Sequence, residues 1–229
     1  MPLLPVIRTL GVALMFSLSA AEASQAQTVA ITNAAPGSEA YQSLRYRLVG
    51  PFRAGRTVGA VGIPSRPNVF FVGVNNGGVW KTDDYGRTWR PIFDAASTGS
   101  VGDIAVSPSH PDVIYVGTGE GLHRPDLSTG DGIFKSVNGG KSWAHIGLKD
   151  VSQVGRIIVH PTDPGTVYVA GVGRPYGANS ERGVFRSRDG GKTWQKILYV
   201  NANTGANRIE FDPNNPDIIC SLSAPMAQI

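Results

Sequence analysis

The sequence predicts an all-β chain, a partial β-propeller of about three complete four-stranded blades plus the first two strands of a fourth. Three observations predict it. An eight-residue box recurs as TDDYGRTW at 82–89, SVNGGKSW at 136–143 and SRDGGKTW at 187–194. Its tryptophans, Trp89, Trp143 and Trp194, stand about 50 residues apart, a spacing that suits propeller blades. Between the boxes run short β-branched and aromatic stretches broken by Pro- and Gly-centred turns, the composition of strands rather than helices.

In chain order, Arg8 precedes the apolar run LGVALMFSLSAA, and small residues follow at Ala21-Glu22-Ala23 and Ser24-Gln25-Ala26. That order describes a secretory signal peptide over 1–26. The run is shorter than the roughly 20 residues a spanning helix needs, so no membrane span is expected after cleavage. The expected location is secreted or periplasmic. Residues 27–40 read as a flexible linker, and the propeller is expected over 41–229. Its blades fall at about 56–94, 101–148 and 154–200, with an incomplete one at 206–229.

Every blade follows one plan. VGAVGIPSRPNVFFVGVNN (58–76), VGDIAVSPSHPDVIYVGTG (101–119), VGRIIVHPTDPGTVYVAGV (154–172) and ANRIEFDPNNPDIICSLSA (206–224) each give two strands around a Pro-centred turn. GGVWKT, DGIFKS and RGVFRS give a third strand, and WRPIF, WAHIGL and WQKILYV a fourth, reached through the box. LRYRLVG at 44–50 reads as one more fourth strand. A ring needs four or more blades, so the expectation is the N-terminal portion of a larger propeller, or copies that self-associate through open propeller edges.

The box has a mechanical reading. Thr82, Asp84, Gly86, Thr88 and Trp89 are matched by Ser136, Asn138, Gly140, Ser142 and Trp143, and by Ser187, Asp189, Gly191, Thr193 and Trp194. The acid accepts turn amides, the glycine takes a positive φ, and the tryptophan packs beside the blade. Asn138 keeps the accepting oxygen and drops the charge, which suits a structural turn better than a metal site. An EF-hand loop would want oxygen ligands at Asp83, Tyr85 and Arg87. The GGKT at 190–193 is not a phosphate loop either, because the glycine such a loop needs falls on Arg186.

A net charge of +4 is scattered, with Arg87, Lys141 and Lys192 inside the boxes, so no nucleic-acid partner is expected. Cys220 is the single cysteine, which excludes an internal disulfide and reads as a packing residue. No cofactor and no metal are expected.

The three boxes resemble Asp-box repeats, the BNR or sialidase type. The phrases GGVWKTDDYGRTW, YVGTGE, RGVFRSRDGGKTW and LVGPFRAGR resemble bacterial exported proteins that carry the sortilin N-terminal propeller domain. The resemblance covers roughly Tyr41 to the C-terminus and implies the fold. Glycosidases, sorting receptors and assembly factors share the repeat, so it implies function less closely.

Strand order places the box turns and Pro-centred turns at one end of the blades and the remaining loops at the other. Those remaining loops hold the candidate ligand-binding residues Arg53, Arg56, Glu120, His123, Arg124, Asp126, Arg174, Tyr176 and Arg182. A glycosidase needs two flanking carboxyl groups, for which Glu120 and Asp126 are the candidates. Against an enzyme stand Asn75-Asn76, where resemblance to xyloglucanase-like propellers implies an acid before the Gly-Gly pair, and the missing Arg-Ile-Pro of sialidases. The expected function is therefore a binding or scaffold module for a protein, peptide or glycan. The alternative is a glycoside hydrolase-like enzyme.

Overall fold

The computed structural model describes residues 55–121 and 127–225. The expected signal peptide, the linker and the 44–50 strand lie outside the described residues. Three four-stranded antiparallel sheets and one two-stranded sheet follow one another along the chain. The first holds β1 (Arg56–Ile63), β2 (Arg66–Asn75), β3 (Gly78–Thr82) and β4 (Arg90–Pro91). The second holds β5 (Val101–Val106), β6 (Ile114–Thr118), β7 (Ile133–Ser136) and β8 (Ala144–His145). The third holds β9 (Val154–Val159), β10 (Val167–Gly171), β11 (Gly183–Ser187) and β12 (Gln195–Leu198). The last pairs β13 (Thr204–Phe211) with β14 (Ile219–Pro225). Strands consecutive in the chain are neighbours in each sheet, so every blade is a meander.

The blades pack through their faces. β6 (IYVGT) and β10 (VYVAG) are buried at every residue, which explains why they read as continuous apolar runs rather than alternating ones. Phe71, Val79 and Phe93 of the first blade pack with Val101, Ile104 and Phe134 of the second. Ile133 and Tyr115 then meet Val154, Ile157 and Val169, and Tyr168 and Val184 meet Ala206 and Ile209. Each slab of core thus belongs to two neighbouring blades. Each first strand also carries one extra residue near its start, Val58, Gly102, Gly155 or Asn207, a bulge set at the same place in all four.

The boxes form the turns between third and fourth strands. In the first, Thr82 Oγ1 donates to Asp84 Oδ1 at 2.8 Å and accepts from Gly86 N–H at 2.9 Å. Asp84 also accepts from Thr88 N–H at 2.9 Å and the Thr88 hydroxyl at 2.7 Å. The third box repeats this with Ser187, Asp189, Gly191 and Thr193. In the second, Asn138 Oδ1 keeps the accepting role towards Ser136 and Ser142, while its Nδ2 donates to Ser142 Oγ at 2.8 Å.

The box tryptophans are not equivalent. Trp143 Nε1 donates to Ile92 O of the preceding blade at 2.6 Å, and Trp194 Nε1 to Ile146 O at 2.7 Å. The same isoleucines cover the box glycines, because a Cβ on Gly140 or Gly191 would collide with Ile92 or Ile146 Cδ1. Trp89 has no earlier blade among the described residues, so its Nε1 turns to its own turn at Gly86 O and the ring is 39% exposed. Matching sequence boxes therefore serve as inter-blade staples only where a neighbour supplies the carbonyl.

Candidate functional site

The start of β1, the end of β2, and the segments before β5 and after β6 meet at the end of the blades opposite the boxes. Glu120 lies there with 0% of its surface exposed. Arg56 donates to its carboxylate from Nε at 3.2 Å and from Nη2 at 3.0 and 2.8 Å, and Asn75 Nδ2 donates at 2.7 Å. Asn75 Oδ1 in turn accepts from Ser100 Oγ at 3.1 Å. Two candidate ligand residues, Arg56 and Glu120, are thus brought together as an ion pair whose carboxylate is buried and whose guanidinium reaches solvent. Such a carboxylate is tolerable in the interior only because hydrogen bonds occupy the oxygens that water has left. Arg56 keeps 40% of its side chain exposed and is the part of this set that faces outward.

The third blade contributes the 173–182 loop. Arg182 is 1% exposed, and its guanidinium donates to the carbonyls of Val172 at 2.9 Å, Arg174 at 2.8 Å and Gly177 at 3.1 Å. Asn179 Nδ2 donates to Arg174 O and Gly177 O as well, and its N–H donates to Ala202 O. Burial pulls the Arg182 pKa down. Arg182 is therefore the post around which the loop is wound, and it leaves Arg174 and Tyr176 exposed on the loop's surface. Arg53, His123, Arg124 and Asp126 lie outside the described residues.

Sequence reasoning passed over several polar residues that organise this end. Asn75, Ser100 and Gln153 are buried, and Gln153 Nε2 donates to Ser128 O at 3.1 Å while its Oε1 has no partner among the described residues. Asp103 is buried between the second and third blades, where its carboxylate accepts from Ile157 N–H at 2.8 Å and lies 3.5 Å from Arg156 Nη1. Burial pushes its pKa up against those hydrogen bonds and the Arg156 charge. The available signal was an acid inside an apolar strand, VGDIAV. Among the described residues no three His, Cys, Asp or Glu side chains gather as metal ligands.

No protein-family model matches the chain. Over 146 residues it is 26% identical to a xyloglucanase of Paenibacillus sp, covering 58% of this chain and 13% of that protein. Over 104 residues it is 30% identical to a probable oligoxyloglucan-reducing end-specific xyloglucanase of Neosartorya fischeri, covering 44% of this chain and 12% of that one. The chain therefore spans a small part of the length of the curated relatives it matches. Among solved structures it is similar to an ancestral GH74 enzyme, with a TM-score of 0.59 and 22% identity over 73% of this chain and 22% of that one. These likenesses agree with the strand order, and the fold is an all-β partial propeller.

Proposed function

We propose that the chain is an exported Asp-box propeller segment, of the sortilin N-terminal type, that acts as a binding or scaffold module with its ligand against the loop face. The state of Glu120 carries this reading. A carboxyl group that protonates a leaving oxygen or attacks a sugar needs an oxygen open to the substrate. Both Glu120 oxygens are taken, by Arg56 and Asn75, and the residue is fully buried. What the same end offers to solvent is a stiff loop bearing Arg174 and Tyr176. An aromatic ring and a guanidinium carried on one loop suit a sugar or a peptide. Glycan is the first class to test, because both curated relatives are named as xyloglucanases.

Those names also favour a second reading, a glycoside hydrolase-like enzyme using Glu120 and Asp126. Calorimetry with xyloglucan oligosaccharides, run beside a reducing-sugar assay, separates the two. Binding without hydrolysis, weakened about tenfold by Tyr176→Ala, is expected for a hot-spot contact. Hydrolysis that disappears in Glu120→Gln or Asp126→Asn would replace the binding reading with the enzyme. Export predicts a mature N-terminus after Ala23 or Ala26 by mass spectrometry, and an intact Met1 in a cytoplasmic pool would refute it.

A further inference from the structure

The two joints between complete blades use matching positions and close differently. Between the second and third blades, Lys135 Nζ donates across the joint to Gly190 O at 3.0 Å, and the Tyr115 hydroxyl donates to Pro164 O at 2.8 Å. One blade earlier the strand register puts Phe71 opposite Lys81, as it puts Tyr115 opposite Lys135. Phe71 has no hydroxyl to span the joint. Lys81 is drawn to Asp83 at 3.3 Å, and Asp83 also holds Arg90 at 2.5 Å. The matching positions in the second blade are Val137 and Ala144, which leave Lys135 free to cross.

The first joint is instead bridged by Arg66 and Asp112 at 2.8 Å and by the Trp143 staple, and it keeps a cleft of about 450 Å³. Its walls include Lys81, Arg90, Asp94 and Lys141, with Pro91 and Ile92 as an apolar floor. Lys141 makes no ion pair among the described residues and its side chain is exposed. Counting the neighbours at its rim, four cations, Arg66, Lys81, Arg90 and Lys141, stand against three carboxylates, Asp83, Asp94 and Asp112. Asp83 holds Lys81 and Arg90, Asp112 holds Arg66, and Lys141 is the cation left without an ion pair among the described residues. We infer that this cleft binds an anionic sugar residue, whose oxyanion meets Lys141 and Arg90 while the C–H face of its ring lies on Pro91 and Ile92. The volume lies in the range of small-ligand sites. The cleft sits at the box end of the blades, so the inference does not rest on the loop-face reading.

A uronate and a sulfate ester share this chemistry and are told apart by the probes. Oligogalacturonate, a sulfated galactose oligosaccharide and a neutral xyloglucan oligosaccharide are titrated by calorimetry at low and high salt. The expected result is binding of at least one acidic probe that weakens with salt and falls at least tenfold in the Lys141→Gln/Arg90→Gln double variant. The acidic probe that binds names the anion. Both side chains are exposed, so the melting midpoint of the double variant stays close to that of the parent. Tyr176→Ala leaves this binding unchanged. Failure of both acidic probes, equal affinity in the double variant, or an equal loss in Tyr176→Ala overturns the inference.

Discussion

Asp84 follows a strand in an exposed turn and Asp103 lies inside one, and their surroundings drive their titrations in opposite directions. The Thr88 N–H, then the hydroxyls of Thr88 and Thr82, hold Asp84 down to about 2. The Thr193 hydroxyl and N–H, with the Ser187 hydroxyl, hold Asp189 lower still. A depressed carboxylate stabilises the fold fully above its unfolded value near 4, and the contribution is lost as pH falls through the folded value. Acid thermal melts should therefore steepen below about pH 4, and Asp84→Asn with Asp189→Asn should flatten that limb. The Asn138 box carries no charge and takes no part. An acid limb unchanged in the double variant would contradict this. Burial raises Asp103 instead, so its ionised form is disfavoured in the fold and stability falls as pH rises through that raised value. Asp103→Asn keeps an acceptor for Ile157 N–H and should raise the neutral-pH melting midpoint; a lower midpoint would show that the charge is needed. Arg56→Ala leaves the buried Glu120 carboxylate without its cation and should cost about 1–3 kcal/mol in denaturant melts, less than for a wholly buried pair because Arg56 faces solvent. Adding Glu120→Gln should recover part of that loss, and no recovery would mean that Arg56 acts through packing alone.

At the scale of the element, the box turn and its tryptophan make the joint. Trp143→Ala and Trp194→Ala each remove a half-buried ring and a bond to the preceding blade, at a cost of about 3 kcal/mol. Trp89→Ala removes a more exposed ring with a local bond and should cost less than about 1 kcal/mol. Equal losses at all three, by chemical denaturation, would mean that Trp89 has an inter-blade partner after all. The first box carries a second asymmetry. Tyr85 takes φ 63°, where the other two boxes place Gly139 and Gly190. A bulky residue in the left-handed region is strained, so Tyr85→Gly should leave stability unchanged or raise it by up to about 1 kcal/mol. The box pattern in the sequence shows where each turn lies, and nothing in it separates a stapled tryptophan from an unstapled one.

Among the described sheets, burial is deepest in the middle strands of the second and third blades and falls off at the last pair. β6 and β10 are buried at every residue, whereas β14 is exposed or half-buried along its length. Amide exchange should be slowest in β6 and β10 and fastest in β14, and uniform protection would mean that the four sheets open as one unit. The sequence by itself determined the repeat, the order of strands, the box turns and the end of the blades at which the irregular loops gather. Local rules are enough for these, because β-branched runs, Pro-centred turns and the box bonds of Thr82 or Ser187 involve residues within a few positions of one another. Only the tertiary structure decided that Glu120 is spent on Arg56, that Arg182 is the core of its loop, and that Asp103 bridges two blades. It alone decided that Lys81 is held by Asp83 at the first joint, where its counterpart Lys135 crosses the second. Arg56 and Glu120 are 64 residues apart. Whether a charged side chain faces water or a partner depends on which strand the neighbouring blade brings beside it, and that is set by packing between blades rather than by the residues on either side in the chain.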